Sequence, residues 1–251
     1  MVGPGPAATG IWAVVVAGGR GQRYGRLKQL EPLAGRRVID WSVDAAASVA
    51  DGVVVVLPAG VPSDTVKADA VVVGGETRSA SVRAGLAAVP GDAGVVVVHD
   101  AARPLARASL FRAVVGAVVG PTVGGGGRGA GGSGGAGGSG GAGGGGGAGG
   151  GGGRAVVGAV PALPVTETIK EVSGSQVVAT LDRSRLGSVQ SPQACLARAL
   201  RSAHEGEPEG TDDAGLVEAL GHLVVTVPGD PSNLKLTRPS DLALAAMLLG
   251  A

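Results

Sequence analysis

Six short runs of β-branched residues recur along the chain, at 11–16, 53–57, 70–73, 95–98, 155–160 and 223–227, and most are continuously apolar rather than alternating. An antiparallel sheet with one wet face would need a polar residue at every second position, so the pattern points to strands covered on both sides. Between the runs lie segments whose apolar residues keep helical spacing, at 38–49, 78–89, 109–119, 193–205, 212–220 and 241–249. Pro192 and Pro239 stand at the starts of two of them, where the first helical N–H has no partner to lose. Strands alternating with helices imply right-handed crossovers and a mostly parallel α/β sheet. In such sheets ligands bind beyond the carboxyl ends of the strands.

Two stretches depart from this alternation. Residues 168–172 and 176–181, around Ser173-Gly-Ser175, read as a β-hairpin. An isolated hairpin is marginally stable in water, so it is expected to pack on a partner subunit or along the chain's own sheet edge. The second departure is compositional: of 49 Gly in 251 residues, 24 fall between 120 and 153. With no Gly-X-Y period and little apolar surface, that window is expected to be a flexible insert. The rest reads as a flexible start at 1–10 and a single domain over 11–251 that the insert interrupts.

Charge and cysteine narrow the function classes. With 21 Lys+Arg against 20 Asp+Glu the net charge is +1, which suggests neither nucleic acid nor an acidic membrane as a partner. Four aromatic residues are too few for a base-stacking platform. The lone Cys195 excludes an internal disulfide framework and a Cys-rich zinc site. No apolar run approaches the roughly 18 to 20 residues of a membrane helix, and the expectation is a cytoplasmic protein.

Chemistry gathers at four places. Ala17-Gly-Gly-Arg-Gly-Gln-Arg-Tyr-Gly-Arg-Leu-Lys28 follows the first strand, combining glycines that expose backbone N–H groups with Arg20, Arg23, Arg26 and Lys28, as a polyphosphate cradle requires. It matches neither glycine fingerprint: Tyr24 replaces the third Gly of G-x-G-x-x-G, and no Gly-Lys-Ser/Thr occurs. In Val95-Val-Val-Val-His-Asp-Ala-Ala-Arg-Pro104 an apolar strand ends in a carboxylate, Asp100, suited to Mg²⁺ or a substrate hydroxyl, with Arg103 one turn on. The alternative there is a capping Asp100 with Arg103 as its surface partner, while His99 suits a structural hydrogen-bonding role at least as well as a general base. Gly74-Gly-Glu-Thr-Arg-Ser-Ala-Ser81 offers N–H groups and hydroxyls for a base edge, or simply a capped helix start. In Asn233-Leu-Lys-Leu-Thr-Arg-Pro239, Lys235 alternates with two leucines; the chain has four Lys against 17 Arg, and two of the four lie in these clusters.

In this order, with Thr168, Asp182-Arg183 and Ser191-Pro-Gln193, the segments resemble the 2-C-methyl-D-erythritol 4-phosphate cytidylyltransferase family from about Ile11 to Leu249. The resemblance implies a Rossmann-like sheet with a protruding hairpin arm that exchanges between the subunits of a homodimer. It implies CTP on Ala17, Gly18, Gly19, Gly21 and Gly75, with Ser81 at the base and Glu76 and Ala101 near the ribose. Arg23, Lys28 and Lys235 would be catalytic at the α-phosphate. Asp100, Arg103, Thr168, Arg183 and Ser191 would hold the polyol phosphate. Mg²⁺ is the implied cofactor, with Asp100 a candidate ligand. Val16, Gly18, Arg20, Glu76, Ser191 and Ser232 depart from the usual family residues. A cytidylyltransferase for another polyol phosphate, such as ribitol 5-phosphate, and a non-catalytic dimeric scaffold are the rival readings.

Overall fold

The structure, a computed structural model, describes residues 10–19, 27–120 and 154–250. The start and the insert read as flexible therefore lie outside the described residues, apart from Gly10 and Gly120.

The chain opens with β1 (Ile11–Val16), a short 3-10 turn at Lys28–Leu30 and a small ribbon of β2 (Pro32–Leu33) and β3 (Arg36–Arg37). Then come α1 (Val38–Ala47), β4 (Gly52–Leu57), β5 (Ala70–Val73), α2 (Arg78–Ala88), β6 (Val95–Asp100) and α3 (Ala108–Val119). Past the glycine-rich window follow β7 (Val156–Pro164), β8 (Lys170–Ser173), β9 (Gln176–Thr180), β10 (Gly187–Val189) and β11 (Gln193–Leu196). The described residues end with α4 (Ala197–Ala203), α5 (Asp213–Ala219), β12 (Leu223–Pro228) and α6 (Pro239–Leu248).

The eight-stranded sheet runs β10-β7-β11-β6-β1-β4-β5, with β12 on β7. β5, β4, β1 and β6 are parallel, with the centres of β4, β1 and β6 buried on both faces, and β12 lies parallel to β7. Alternate residues feed opposite faces. Ala13, Val15, Val53, Val55, Val95 and Val97 pack under α1 and α3, while Val14, Val54, Val56, Val96 and Val98 pack under α2, α4 and α5. The chain leaves β1 toward β4 and β5 and then returns past it to β6. That reversal creates a topological switch point between β1 and β6, the place where open α/β sheets bind ligands.

Two readings need correction. Residues 193–205 are not one helix: Gln193–Leu196 form β11, antiparallel to both β6 and β7, and only Ala197–Ala203 are helical. Ala194 and Cys195 fill the slot between two strands whose backbone groups need ladder partners, and that demand outweighs helix propensity. Pro192 accordingly precedes a strand, joined to Ser191 by a cis peptide bond, whereas Pro239 does begin α6 as expected. Of the two placements open to the hairpin, pairing with the main sheet's edge is not observed. β8 and β9 form a separate two-stranded sheet around Gly174 and Ser175, with Gly174 at φ +57°.

Candidate active site

The carboxyl ends of β1, β5 and β6 open onto a cavity of about 420 Å³. One wall is residues 16–19 after β1, with Lys28 and Gln29. A second is the β5–α2 corner, Gly75, Glu76, Thr77, Arg78 and Ser81; a third is Asp100, Ala101 and Ala102, with Lys235 and Thr237 across from them. Three of the four clusters singled out by sequence therefore meet at this cavity, and the described part of the fourth, the loop after β1, meets them there.

Glycine serves packing at two of these positions. A Cβ on Gly18 would lie 2.8 Å from Ser81 Oγ, so the loop after β1 meets α2 only without a side chain there, and one on Gly75 would lie only 2.4 Å from Ala80 Cβ, so the β5–α2 corner closes on its own helix only with glycine. At Gly19 a Cβ would meet nothing within 4 Å, leaving that stretch of backbone open to a ligand. Thr77 caps α2 by accepting from Ala80 N–H at 3.0 Å, and Ser81 Oγ donates back to Thr77 O at 2.9 Å. The capped helix start and the cavity corner are thus the same residues.

Sequence reasoning passed over Gln29. Its buried amide donates from Nε2 to Ala17 O at 2.8 Å and Gly19 O at 3.2 Å, fixing those two carbonyls of the loop, while the Ala17 N–H is already used, donating to Val56 O at 2.8 Å. A single Gln has no sequence signature for such a role. Lys28 Nζ donates to Leu236 O at 2.6 Å, tying this loop to the segment before α6.

Asp100 ends β6 between two cations. Lys235 Nζ donates to Oδ2 at 2.6 Å and Arg78 Nε to Oδ1 at 3.2 Å. Burial pushes the carboxyl up, but the charges of Arg78 and Lys235 more than reverse this and hold it well below the usual carboxylate range. Arg78, also unremarked in the sequence, reaches the buried Asp213 with Nη2 at 2.8 Å. Burial opposes the Arg78 charge, and Asp213 and Asp100 more than restore it. Asp212 is the residue that caps α5, accepting from Gly215 N–H, whereas Asp213 faces inward to Arg78 and to His204 Nε2 at 3.1 Å.

Behind Asp100 the chain is stitched by neutral groups. His99 is fully buried, with Nε2 3.2 Å from Arg103 O and Nδ1 3.2 Å from Ser191 Oγ. Asp100 N–H donates to the same Ser191 oxygen at 3.1 Å. Burial pulls the imidazole down to about 4, so His99 is a structural hydrogen-bonding residue and not a base. Arg103 is not a surface partner of Asp100; its Nη1 donates to Asn233 O at 2.7 Å and its Nε is buried.

The single chain does not bring every expected residue to the cavity. Arg103 and Ser191 sit behind Asp100, and Thr168 and Arg183 lie by the hairpin, where Arg183 Nη1 donates to Thr166 O. Gly21 and Arg23, like Arg20 and Arg26, lie outside the described residues. Among the described residues there is no group of three or more His, Cys, Asp or Glu able to hold a metal, and none of their helices is long and apolar enough to cross a membrane. Cys195 is buried, and burial together with Asp213 and Asp212 pushes its thiol up to about 12, so it offers no nucleophile.

Comparison with known proteins follows the same lines. The family model for 2-C-methyl-D-erythritol 4-phosphate cytidylyltransferase matches residues 11–124 and 153–251. The cytidylyltransferase of that name from Nocardia farcinica is 41% identical, over 95% of this chain and 94% of its own. The one from Streptomyces coelicolor is 38% identical, over 98% and 87%. The chain spans about half the length of bifunctional relatives, such as the bifunctional enzyme IspD/IspF of Dinoroseobacter shibae, 35% identical over 95% of this chain and 54% of that one. The crystal structure of the Thermus thermophilus cytidylyltransferase superposes with a TM-score of 0.69 at 27% identity, over 95% of this chain and 98% of that one. Matched on both sides of its glycine-rich window, the chain belongs to the 2-C-methyl-D-erythritol 4-phosphate cytidylyltransferase family.

Proposed function

We propose that the chain transfers the cytidylyl group of CTP to 2-C-methyl-D-erythritol 4-phosphate, giving 4-diphosphocytidyl-2-C-methyl-D-erythritol and pyrophosphate, a step of isoprenoid precursor biosynthesis in the cytoplasm. The observation that carries this reading is one cavity at the switch point lined both by open backbone at Gly19 and by Lys28, Arg78 and Lys235. Such a site suits a polyanion approached by a second anion.

A phosphate oxygen of the acceptor attacks the α-phosphorus in line; the bond from that phosphorus to the bridging oxygen breaks, and pyrophosphate leaves. The attacking dianion needs no general base, which agrees with a buried, neutral His99. Catalysis is then the positioning of two anions and the neutralising of charge at phosphorus. The backbone of Gly18, Gly19 and Gly21 cradles the phosphates, and Ala17 lines the cavity beside them. Gly75 and Ser81 meet the base, and Glu76 and Ala101 the ribose. Arg23 and Lys28 hold the α-phosphate, with Lys235 orienting it. Asp100, Arg103 and Ser191 form the acceptor side, completed by Thr168 and Arg183 on the arm of a second subunit. Exposed Val172, Val177 and Val178 on that arm support a homodimer.

Mg²⁺ fits as a companion of the triphosphate rather than as a resident ion. It keeps several waters and needs only one or two carboxylates, and the cavity wall carries two, Glu76 and Asp100. When bound it neutralises phosphate oxygens and the departing pyrophosphate.

Pyrophosphate release tests the reading, with Mg²⁺, each NTP and either methylerythritol phosphate or ribitol 5-phosphate. Release is expected with CTP and methylerythritol phosphate; release with ribitol phosphate alone would overturn the acceptor, and silence with every pair would leave a scaffold. Lys28→Ala is expected to lower kcat by about 10²- to 10³-fold. A near-normal kcat would remove Lys28 from the catalytic groups.

A further inference from the structure

Four charges alternate through one line of contacts: Asp213 to Arg78 at 2.8 Å, Arg78 to Asp100 at 3.2 Å, and Asp100 to Lys235 at 2.6 Å. The inner end is buried, the Asp213 side chain being 1% exposed, while Lys235 at the outer end is 41% exposed on the cavity wall. As a stabilising device this chain is a poor choice. Buried ion pairs seldom outdo apolar packing of the same volume, and neither Arg78 Nη1 nor Asp213 Oδ2 has a hydrogen-bond partner, the Arg78 Nη2–Asp213 Oδ2 contact being an ion pair. Its geometry nonetheless uses what only arginine provides, two nitrogens of one rigid fork on two separate acids, Nε toward β6 and Nη2 toward α5.

We propose that Arg78 is a positioning residue for cytidylyl transfer. Anchored by Asp213, it occupies Oδ1 of Asp100, so that Oδ2 stays aimed at Lys235 and the Lys235 ammonium keeps positive charge available to the phosphate at the reacting centre. The inference rests on the function proposed above. Without Arg78, the whole charge of Asp100 falls on Lys235, the carboxylate is free to rotate, and the cation meant for the nucleotide is neutralised in the resting enzyme. The groups facing Asp100 are Arg78 from α2, Lys235 from the segment before α6, Arg103, the neutral His99 beside it in β6, and the Ser191 hydroxyl on its N–H. Losing Arg78 from that set leaves a buried carboxylate with less cationic support.

The test uses the full chain with Arg78→Gln, Asp100→Asn and their combination. Two readouts are followed: steady-state kinetics with CTP and methylerythritol phosphate, and the orientation of the Asp100 carboxylate in a crystal structure of Arg78→Gln. Arg78→Gln is expected to lower kcat about 10- to 100-fold with little change in the KM for CTP. In its crystal structure the Asp100 carboxylate should have turned from the orientation that gives Oδ1 to Arg78 and Oδ2 to Lys235. In the Asp100→Asn background Arg78→Gln should add no further loss, because its effect passes through the missing carboxylate. Additive losses in the double variant, a loss confined to KM, or an Asp100 carboxylate left in place would overturn the proposal. Should Arg78→Gln not fold, Arg78→Lys keeps the charge but serves only one acid, and a smaller loss of kcat is expected; none would overturn the proposal. If the unmodified protein transfers nothing to methylerythritol phosphate, the functional reading falls, while the carboxylate orientation still decides whether Arg78 controls Asp100.

Discussion

Behind the cavity wall a single imidazole sets part of the protein's response to acid. With Nε2–H donating to Arg103 O, His99 Nδ1 accepts from Ser191, an arrangement only the neutral ring can make. The unfolded ring takes a proton near pH 6.5 and the folded one only near 4. Its contribution to stability is therefore complete above about pH 6.5 and is lost as pH falls from there toward about 4, a total of about 3 kcal/mol. His99→Gln keeps a donor for Arg103 and an acceptor for Ser191 but cannot titrate. Urea unfolding of this variant should show a flatter stability profile between those pH values; an unchanged slope would assign the acid sensitivity elsewhere. From sequence, His99 suited a structural role at least as well as a general base, and its burial decides for the first. Gln29 and Arg78 were not legible, because their roles depend on carbonyls and carboxylates that the chain brings in from other elements, Asp213 above all.

At the scale of elements, the strands that build the sheet's centre could be read from continuous apolar runs, since both faces are covered. β11 could not, because its four residues are a strand only by virtue of β6 and β7 on either side. The hairpin was legible from its turn, and its separation from the main sheet leaves Val172 60%, Val177 55% and Val178 59% exposed, an unusual apolar surface for so small an element. Charging it tests the proposed dimer. Val172→Lys with Val177→Lys, a cross-strand pair, should shift sedimentation from dimer to monomer while leaving the thermal transition of the main domain within a few degrees. A dimer that survives both substitutions would place the interface elsewhere. On the proposed exchange of arms, the monomer should also lose turnover, because Thr168 and Arg183 would have no neighbouring cavity to complete.

Across the whole molecule the glycine-rich window separates α3 from β7, and the family match resumes on its far side at residue 153. Replacing residues 121–153 by a turn of about four residues removes a closure cost of roughly 2 kcal/mol, at about 0.6 kcal/mol per doubling of loop length. The shortened protein is expected to keep kcat and its dimer and to be slightly more stable to urea; a large loss of turnover would give the window a role in catalysis. What the sequence determined by itself was local and periodic: which apolar runs are strands, where most of the helices begin, which loops gather glycines with Arg and Lys. Those properties depend on neighbours within a few residues, where burial pattern and backbone freedom act directly. Only the tertiary structure decided that β11 enters the sheet antiparallel, that Gly18 and Gly75 are small for packing, and that Asp213 reaches Asp100 through Arg78. These follow from contacts between elements distant in sequence, and no local pattern encodes which distant group will arrive to satisfy a buried charge or an open ladder.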